Sequence, residues 1–132
     1  MAVISSSDDL RLLAEERIAE ARTLFAAKHF SGAYYLAGYA VELGLKAVLT
    51  RALERYSMPN NKEVSAAHVH DLRTLAKSCG LVPEADAAIR VAWSVVVPNW
   101  SPDDRYRIQS EVPSGQMVDA AEEVLEWLKP LW

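Results

Sequence analysis

The sequence predicts an all-α protein, an up-and-down bundle of four long helices and one short one, and three observations carry that prediction. The segment Ser31 to Thr50 is twenty residues long, apolar nearly all round, and holds only two charges, Glu42 and Lys46. Elsewhere apolar residues recur three and four apart with charged residues between them, which is the helical period. The breaks fall at turn and helix-stop residues: His29-Phe30-Ser31-Gly32, Pro59-Asn60-Asn61, Gly80, Pro98 and Pro130.

Each element can be justified in turn. Ser5-Ser6-Ser7-Asp8-Asp9 supplies N-cap residues. Leu10, Leu13, Ala14, Ile18, Ala21 and Phe25 then form one face of an amphipathic helix from about Asp8 to Lys28. After a short turn, Ser31 is expected to cap a second helix that runs to about Tyr56, antiparallel to the first. Small residues at Ala33, Ala37, Ala40, Gly44 and Ala47 share a stripe of it, where the first helix or a partner subunit could approach closely. Ser57 to Ala67 is a loop. Leu72, Leu75 and Ala76 mark a short helix closed by Gly80. Pro83 is expected to open a longer one with Ala85, Ala88, Ile89, Ala92, Trp93 and Val96 inward, ending at Pro98; the β-prone run Val95-Val96-Val97 is too short to outvote that period. Asn99 to Pro113 is polar and of mixed charge and is expected to be an exposed loop. Ser114 is then expected to cap a last helix with Met117, Val118, Ala121, Val124, Leu125 and Leu128 inward, stopped by Pro130.

At 132 residues, without a linker, repeat or low-complexity tract, residues 1–132 read as a single domain. The formal charge of −4 gives no global basic field to attract nucleic acid, although a local basic site remains open. The single cysteine, Cys79, rules out an intrachain disulfide and fits a reducing compartment. At an expected helix end it reads as a buried, inert thiol. The N-terminus has no basic region followed by an apolar run, so no secretory signal is expected. Ser31–Thr50 has the length of a membrane span, but Glu42 and Lys46 would each cost about 2.5–3.5 kcal/mol near the bilayer centre, so no membrane association is expected and the location reads as cytoplasmic.

The chemistry-bearing residues are few. His68 and His70 stand two apart beside Asp71, a spacing that points them in different directions on a helix, and Asp71 suits a helix N-terminus. No metal and no cofactor is expected: the glycine-rich phosphate loop and the nucleophile elbow are both absent. On the second helix Tyr35, Tyr39, Glu42 and Lys46 follow at spacings of four, three and four, so two phenols, a carboxylate and an ammonium share one face. A solvated Glu–Lys pair of this kind contributes about 0.2–0.5 kcal/mol. On a helix this apolar, a charge pair can instead face a cleft or a partner chain. The remaining cluster is Arg105-Tyr106-Arg107 in the polar loop, two phosphate-binding side chains around an aromatic ring.

The segment AYYLAGYAVELGLKAVL, then HDLRTLAKSCG, then DRYR ahead of the last helix, resembles the HEPN family along nearly the whole chain. Glu42, Lys46 and Ala47 match that family's Glu-x-x-x-Lys-Ala element, His70 and Leu72 its His-x-Leu start to a short helix, and Arg105-Tyr106 its Arg-Tyr pair. The resemblance implies a helical bundle, commonly a homodimer, often encoded beside a minimal nucleotidyltransferase in toxin–antitoxin or nucleotide-linked pairs. Many members are metal-independent ribonucleases that use an arginine and a histidine, separated by four to six intervening residues, across a dimer cleft. Only Arg22 and His29 have that spacing here, and they lie at the end of the first helix rather than in the later half of the domain.

The sequence therefore favours a non-catalytic binding module for a nucleotide, RNA or a nucleotidyltransferase partner. Its candidate residues are Arg105, Tyr106, Arg107, Glu42, Lys46, His70 and Tyr39, and none is assigned a catalytic role. The alternatives are an unusual ribonuclease using His70 or His29, and an oligomerisation scaffold. The scaffold is suggested by Trp93, Trp100, Trp127 and Trp132, many for this length, some of which are expected at an interface.

Overall fold

Five helices account for the architecture of the computed structural model, which describes residues 6–55 and 69–132. They are α1 (Ser7–Ala26), α2 (Phe30–Arg55), α3 (Leu72–Ser78), α4 (Arg90–Val96) and α5 (Glu111–Leu128), with 3-10 turns at Pro83–Ala85, Pro102–Tyr106 and Lys129–Leu131. No strand occurs among the described residues, so the all-α prediction holds. The expected loop Ser57–Ala67, the end of α2 at Tyr56, and His68 lie outside the described residues.

Local chemistry sets the helix ends. Ser6 accepts the Asp9 amide at 3.1 Å and caps α1. At its other end the His29 amide returns to Leu24 O and the Lys28 amide to Phe25 O, a Schellman closure that forces Lys28 into the left-handed region at φ 66°. The same motif closes α3 through Leu81 to Ala76 and Gly80 to Lys77, there with the expected glycine at φ 73°. Asp71 caps α3 by accepting the Thr74 amide at 3.0 Å, as its charge and position predict.

α2 is the axis of the bundle. Ala33, Ala37, Ala40, Val41, Leu45 and Ala47 are fully buried. α1 packs antiparallel to it: the Ser7 hydroxyl donates to Glu54 at 2.6 Å at one end, and Leu24 abuts Gly32 at the other. α5 packs parallel to it. The Ser114 hydroxyl donates to Phe30 O at 2.8 Å, and Gly44 admits Leu125 and Leu128, which a Cβ there would meet at 2.8 and 3.2 Å. Gly44 of the small-residue stripe thus serves the last helix as well as the bundle's general tightness. Arg22 on α1 forks to Asp119 and Glu122 on α5 at 2.7 and 2.6 Å, and these bonds raise its already high pKa. Buried residues of all five helices form one apolar cluster.

Four expectations change in detail. Ser31 does not cap α2: the helix already includes Phe30, and the Ser31 hydroxyl accepts the Gln109 amide at 2.8 Å. The helix expected from Pro83 is divided: Pro83–Ala85 is a 3-10 turn, Ala85 and Ala88 are exposed, and the α-helix begins only at Arg90. Asp86 explains the break, because its side chain accepts the Ala88 amide at 2.9 Å and so competes with a helical path. The last helix starts at Glu111, and Ser114 lies inside it, fully buried with its hydroxyl on Phe30 O rather than capping. The Asn99–Pro113 segment is not a wholly exposed loop. Trp100 and Asp104 are buried, and Ser101 with Asp104 forms a reciprocal capping box around the 3-10 turn.

Candidate functional site

One stripe of α2 organises the candidate site. Ser31, Tyr35, Gly38, Glu42, Leu45 and Leu49 lie four, three, four, three and four apart, which places them along one helical face. The segment Trp100–Gln109 occupies the first half of this stripe. The Gln109 amide donates to Ser31 Oγ at 2.8 Å, Trp100 Nε1 donates to Tyr35 O at 3.0 Å, and the indole lies flat over Gly38. The His70–Cys79 segment occupies the second half, with His70 on Glu42 and Cys79 Sγ donating to Leu45 O at 3.4 Å.

Glycine at position 38 is what admits Trp100, since a Cβ there would fall within contact of three indole atoms. The ring then begins an aromatic ladder. Trp100 stacks on Tyr35 with centroids 6.0 Å apart, and Tyr35 stacks on Tyr39, also at 6.0 Å and within 13° of parallel. Tyr34, on the adjacent stripe, donates to Asn99 O at 2.5 Å and fixes the start of the same loop.

The ladder ends at a buried carboxylate. Glu42 is 1% exposed, and its Oε2 accepts both Lys46 Nζ and His70 Nδ1 at 3.0 Å. A carboxylate paired with a lysine only accepts, so Nδ1 of a neutral His70 donates and its Nε2 carries the free lone pair. The imidazole is mostly exposed, its side chain at 63%. Burial, then the Glu42 charge, raise the pKa of Tyr39, which places that phenol in the same electrostatic neighbourhood and keeps it protonated at neutral pH. Tyr39, Glu42, Lys46 and His70 are therefore brought together.

Arg105, Tyr106 and Arg107 form a second group on the same face. The turn that bears them is held from below by Asp104, 1% exposed, whose carboxylate accepts the Ser101 amide at 2.8 Å, Gln109 Nε2 at 3.3 Å and Arg107 at 3.4 Å. Above it Arg105 and the Tyr106 ring face solvent, and Arg107, although paired with Asp104, keeps about half of its side chain exposed. The Arg105 guanidinium lies 4.9 Å from the Tyr106 ring centroid, and Tyr106 is 76% exposed. The loop spans Gly38 back to Ser31, so these side chains lie on the order of 6–16 Å along the α2 axis from Glu42. The two groups are neighbours without direct contact.

Trp100, Asp104 and Gly38 position this site, and the sequence reading assigned none of them to it. The signal for Asp104 was present: Ser101-Pro102-Asp103-Asp104 has a capping residue, proline in the first turn and an acid three on. Arg22 and His29 do not form a ribonuclease pair, since Arg22 is committed to two carboxylates of α5 and His29 is exposed in the α1–α2 turn. Of the four tryptophans, Trp93 and Trp100 are buried within the single chain, whereas Trp127 and Trp132 are only partly buried. Among the described residues no cluster of three His, Cys, Asp or Glu side chains is arranged to hold a metal ion, and no helix is long and apolar enough to cross a membrane.

These features define a helical bundle with a polar, aromatic-lined face on its central helix. The family model for the HEPN domain matches residues 7–131, and the chain belongs to that family. No curated protein and no solved structure matches it significantly.

Proposed function

We propose that this HEPN domain is a non-catalytic binding module for RNA or a nucleotide, acting as a homodimer and beside a minimal nucleotidyltransferase in a toxin–antitoxin-like setting. Family membership supports a nucleotide- or RNA-related role in general. The observation that carries the finer reading is the outward display of Arg105, Tyr106 and Arg107 on a turn whose buried side, Asp104, is fully hydrogen-bonded. Two guanidinium groups suit phosphate oxygens, and an exposed ring gives a base a stacking surface. Lys46, His70 and Tyr39 extend the same face with further donors. Calorimetric titration with single-stranded RNA and with mononucleotides tests this: Arg105→Ala with Arg107→Ala abolishes the binding heat, and unchanged binding sinks the site assignment. Light scattering on the eluting protein tests the dimer, and a monomer that persists at high concentration counts against it.

A second reading has one specific observation in its favour. Glu42 holds His70 through Nδ1 while the imidazole stays mostly exposed, an arrangement that serves a general acid or base acting on a ribose 2′-hydroxyl. In this reading His70→Ala eliminates cleavage of a mixed RNA substrate by the wild-type chain. If the wild type leaves that substrate intact while a control ribonuclease cuts it, the binding module stands and the ribonuclease does not.

A further inference from the structure

A hollow of about 490 Å³ opens on a different part of the molecule, where α3, the Pro83–Ala85 turn and α4 meet. Arg73, Glu84 and Arg90 line it together with Trp93, Val97 and Pro98, and none of these was assigned to the Glu42–His70 group or the Arg105–Arg107 turn. The volume falls in the range of small-molecule sites. Trp93, 3% exposed, and Val97 supply apolar lining that is already out of water, and Pro98 and the exposed Val91 extend it outward.

The polar lining is cationic on balance. Arg73 and Arg90 contribute two charges and Glu84 one of opposite sign. Glu84 is already engaged, accepting the Trp93 indole N–H at 3.1 Å, and the Ser94 hydroxyl donates to Val91 O at 2.6 Å. Neither Arg73 nor Arg90 forms a salt bridge with a described residue, in contrast to Arg11, Arg17, Arg22 and Arg107. Isolated surface arginines need no ligand. Two that line one concavity with an apolar wall offer forked donors beside a desolvating surface, a combination that suits a charged head on a compact apolar body.

We propose that this hollow binds a small organic oxyanion, with Arg73 and Arg90 holding the charged group and the Trp93–Val97–Pro98 wall holding the apolar body. Guanidinium forks suit both phosphate monoesters and carboxylates, so phenyl phosphate and benzoate are the two probes that separate these sources, with inorganic phosphate as the head group alone. The readout is the Trp93 indole N–H resonance, assigned by its loss in Trp93→Phe. The wild-type chain is expected to show a saturable shift with phenyl phosphate or benzoate, and Arg73→Gln or Arg90→Gln each to weaken it by about tenfold, the loss of one charge-assisted bond. Both arginines are exposed, and unchanged far-ultraviolet circular dichroism confirms that each variant folds. Arg105→Ala with Arg107→Ala is expected to leave this shift intact, so failure at one site is separable from failure at the other. The proposal is overturned if neither organic probe produces a saturable shift, or if the arginine variants bind as well as wild type. Inorganic phosphate binding as tightly as phenyl phosphate overturns it too, because the apolar wall then contributes nothing.

Discussion

Replacing Gly38 by alanine is the sharpest perturbation of the candidate site that leaves every functional side chain in place. An added Cβ falls within contact of Trp100 Cγ, Cδ1 and Nε1, and the backbone that carries it sits mid-way along the buried axis of the bundle. Two responses compete. If the indole leaves, the chain exposes an aromatic side chain of about 150–250 Å², or about 4–6 kcal/mol at about 25 cal/mol per Å². If it stays and its surroundings shift, overpacking costs about 1–3 kcal/mol. The second route is cheaper, and a clash with three ring atoms puts it at the upper end. Alanine recovers about 1 kcal/mol of helix propensity over glycine. The net destabilisation is therefore about 2 kcal/mol. Urea unfolding followed by circular dichroism measures it, and the Trp100 indole resonance should move as its bond to Tyr35 O is strained. The Arg105–Arg107 turn rides on that ring, so RNA binding should weaken with it. A stability equal to or above wild type would refute the seating of Trp100 on Gly38.

Three further outcomes follow from local chemistry. Lys28→Gly should stabilise the chain by about 1 kcal/mol, read as a higher urea midpoint at constant slope, because residue 28 holds a left-handed conformation that costs a lysine and not a glycine. Cys79 should react with a thiol reagent at pH 8 only after denaturant is added, since burial pushes its pKa up to about 12 and leaves almost no thiolate in the native state. The Ala88 amide and then the Trp127 indole hold the Asp86 carboxyl below its ordinary 3.8, so its stabilisation is present above that value and is lost as pH falls further. Asp86→Asn removes the titration but keeps an acceptor for only one of the two bonds, so it should lower stability at neutral pH and flatten the fall below pH 3.8, measured by the Trp127 emission; an identical pH profile in the variant counts against the linkage.

The helical class, the turn between α1 and α2 and the Asp71–Gly80 boundaries of α3 were legible in the sequence because each rests on a local rule: period, cap, or left-handed glycine. Glu42, Lys46 and His70 were legible as a set through the family resemblance, although only the fold shows one carboxylate oxygen accepting from both side chains. What escaped was non-local or competing. Asp86 bonds the backbone two residues on and breaks a helix that apolar period alone predicts. Trp100 is buried only because Gly38, distant in sequence, leaves a slot for it. Asp104 looked like one charge among several in a polar loop, whereas its hydrogen bonds make it the floor of the turn.

The measurement that bears most directly on the proposed function is the salt dependence of single-stranded RNA binding, followed by fluorescence anisotropy for wild type and for Arg105→Ala with Arg107→Ala. Each phosphate contact contributes about 0.7 to the slope of log K against log salt, so losing both arginines should reduce the slope by about 1.4 along with the affinity. A slope and affinity identical to wild type would show that the Arg105–Tyr106–Arg107 turn does not carry the binding.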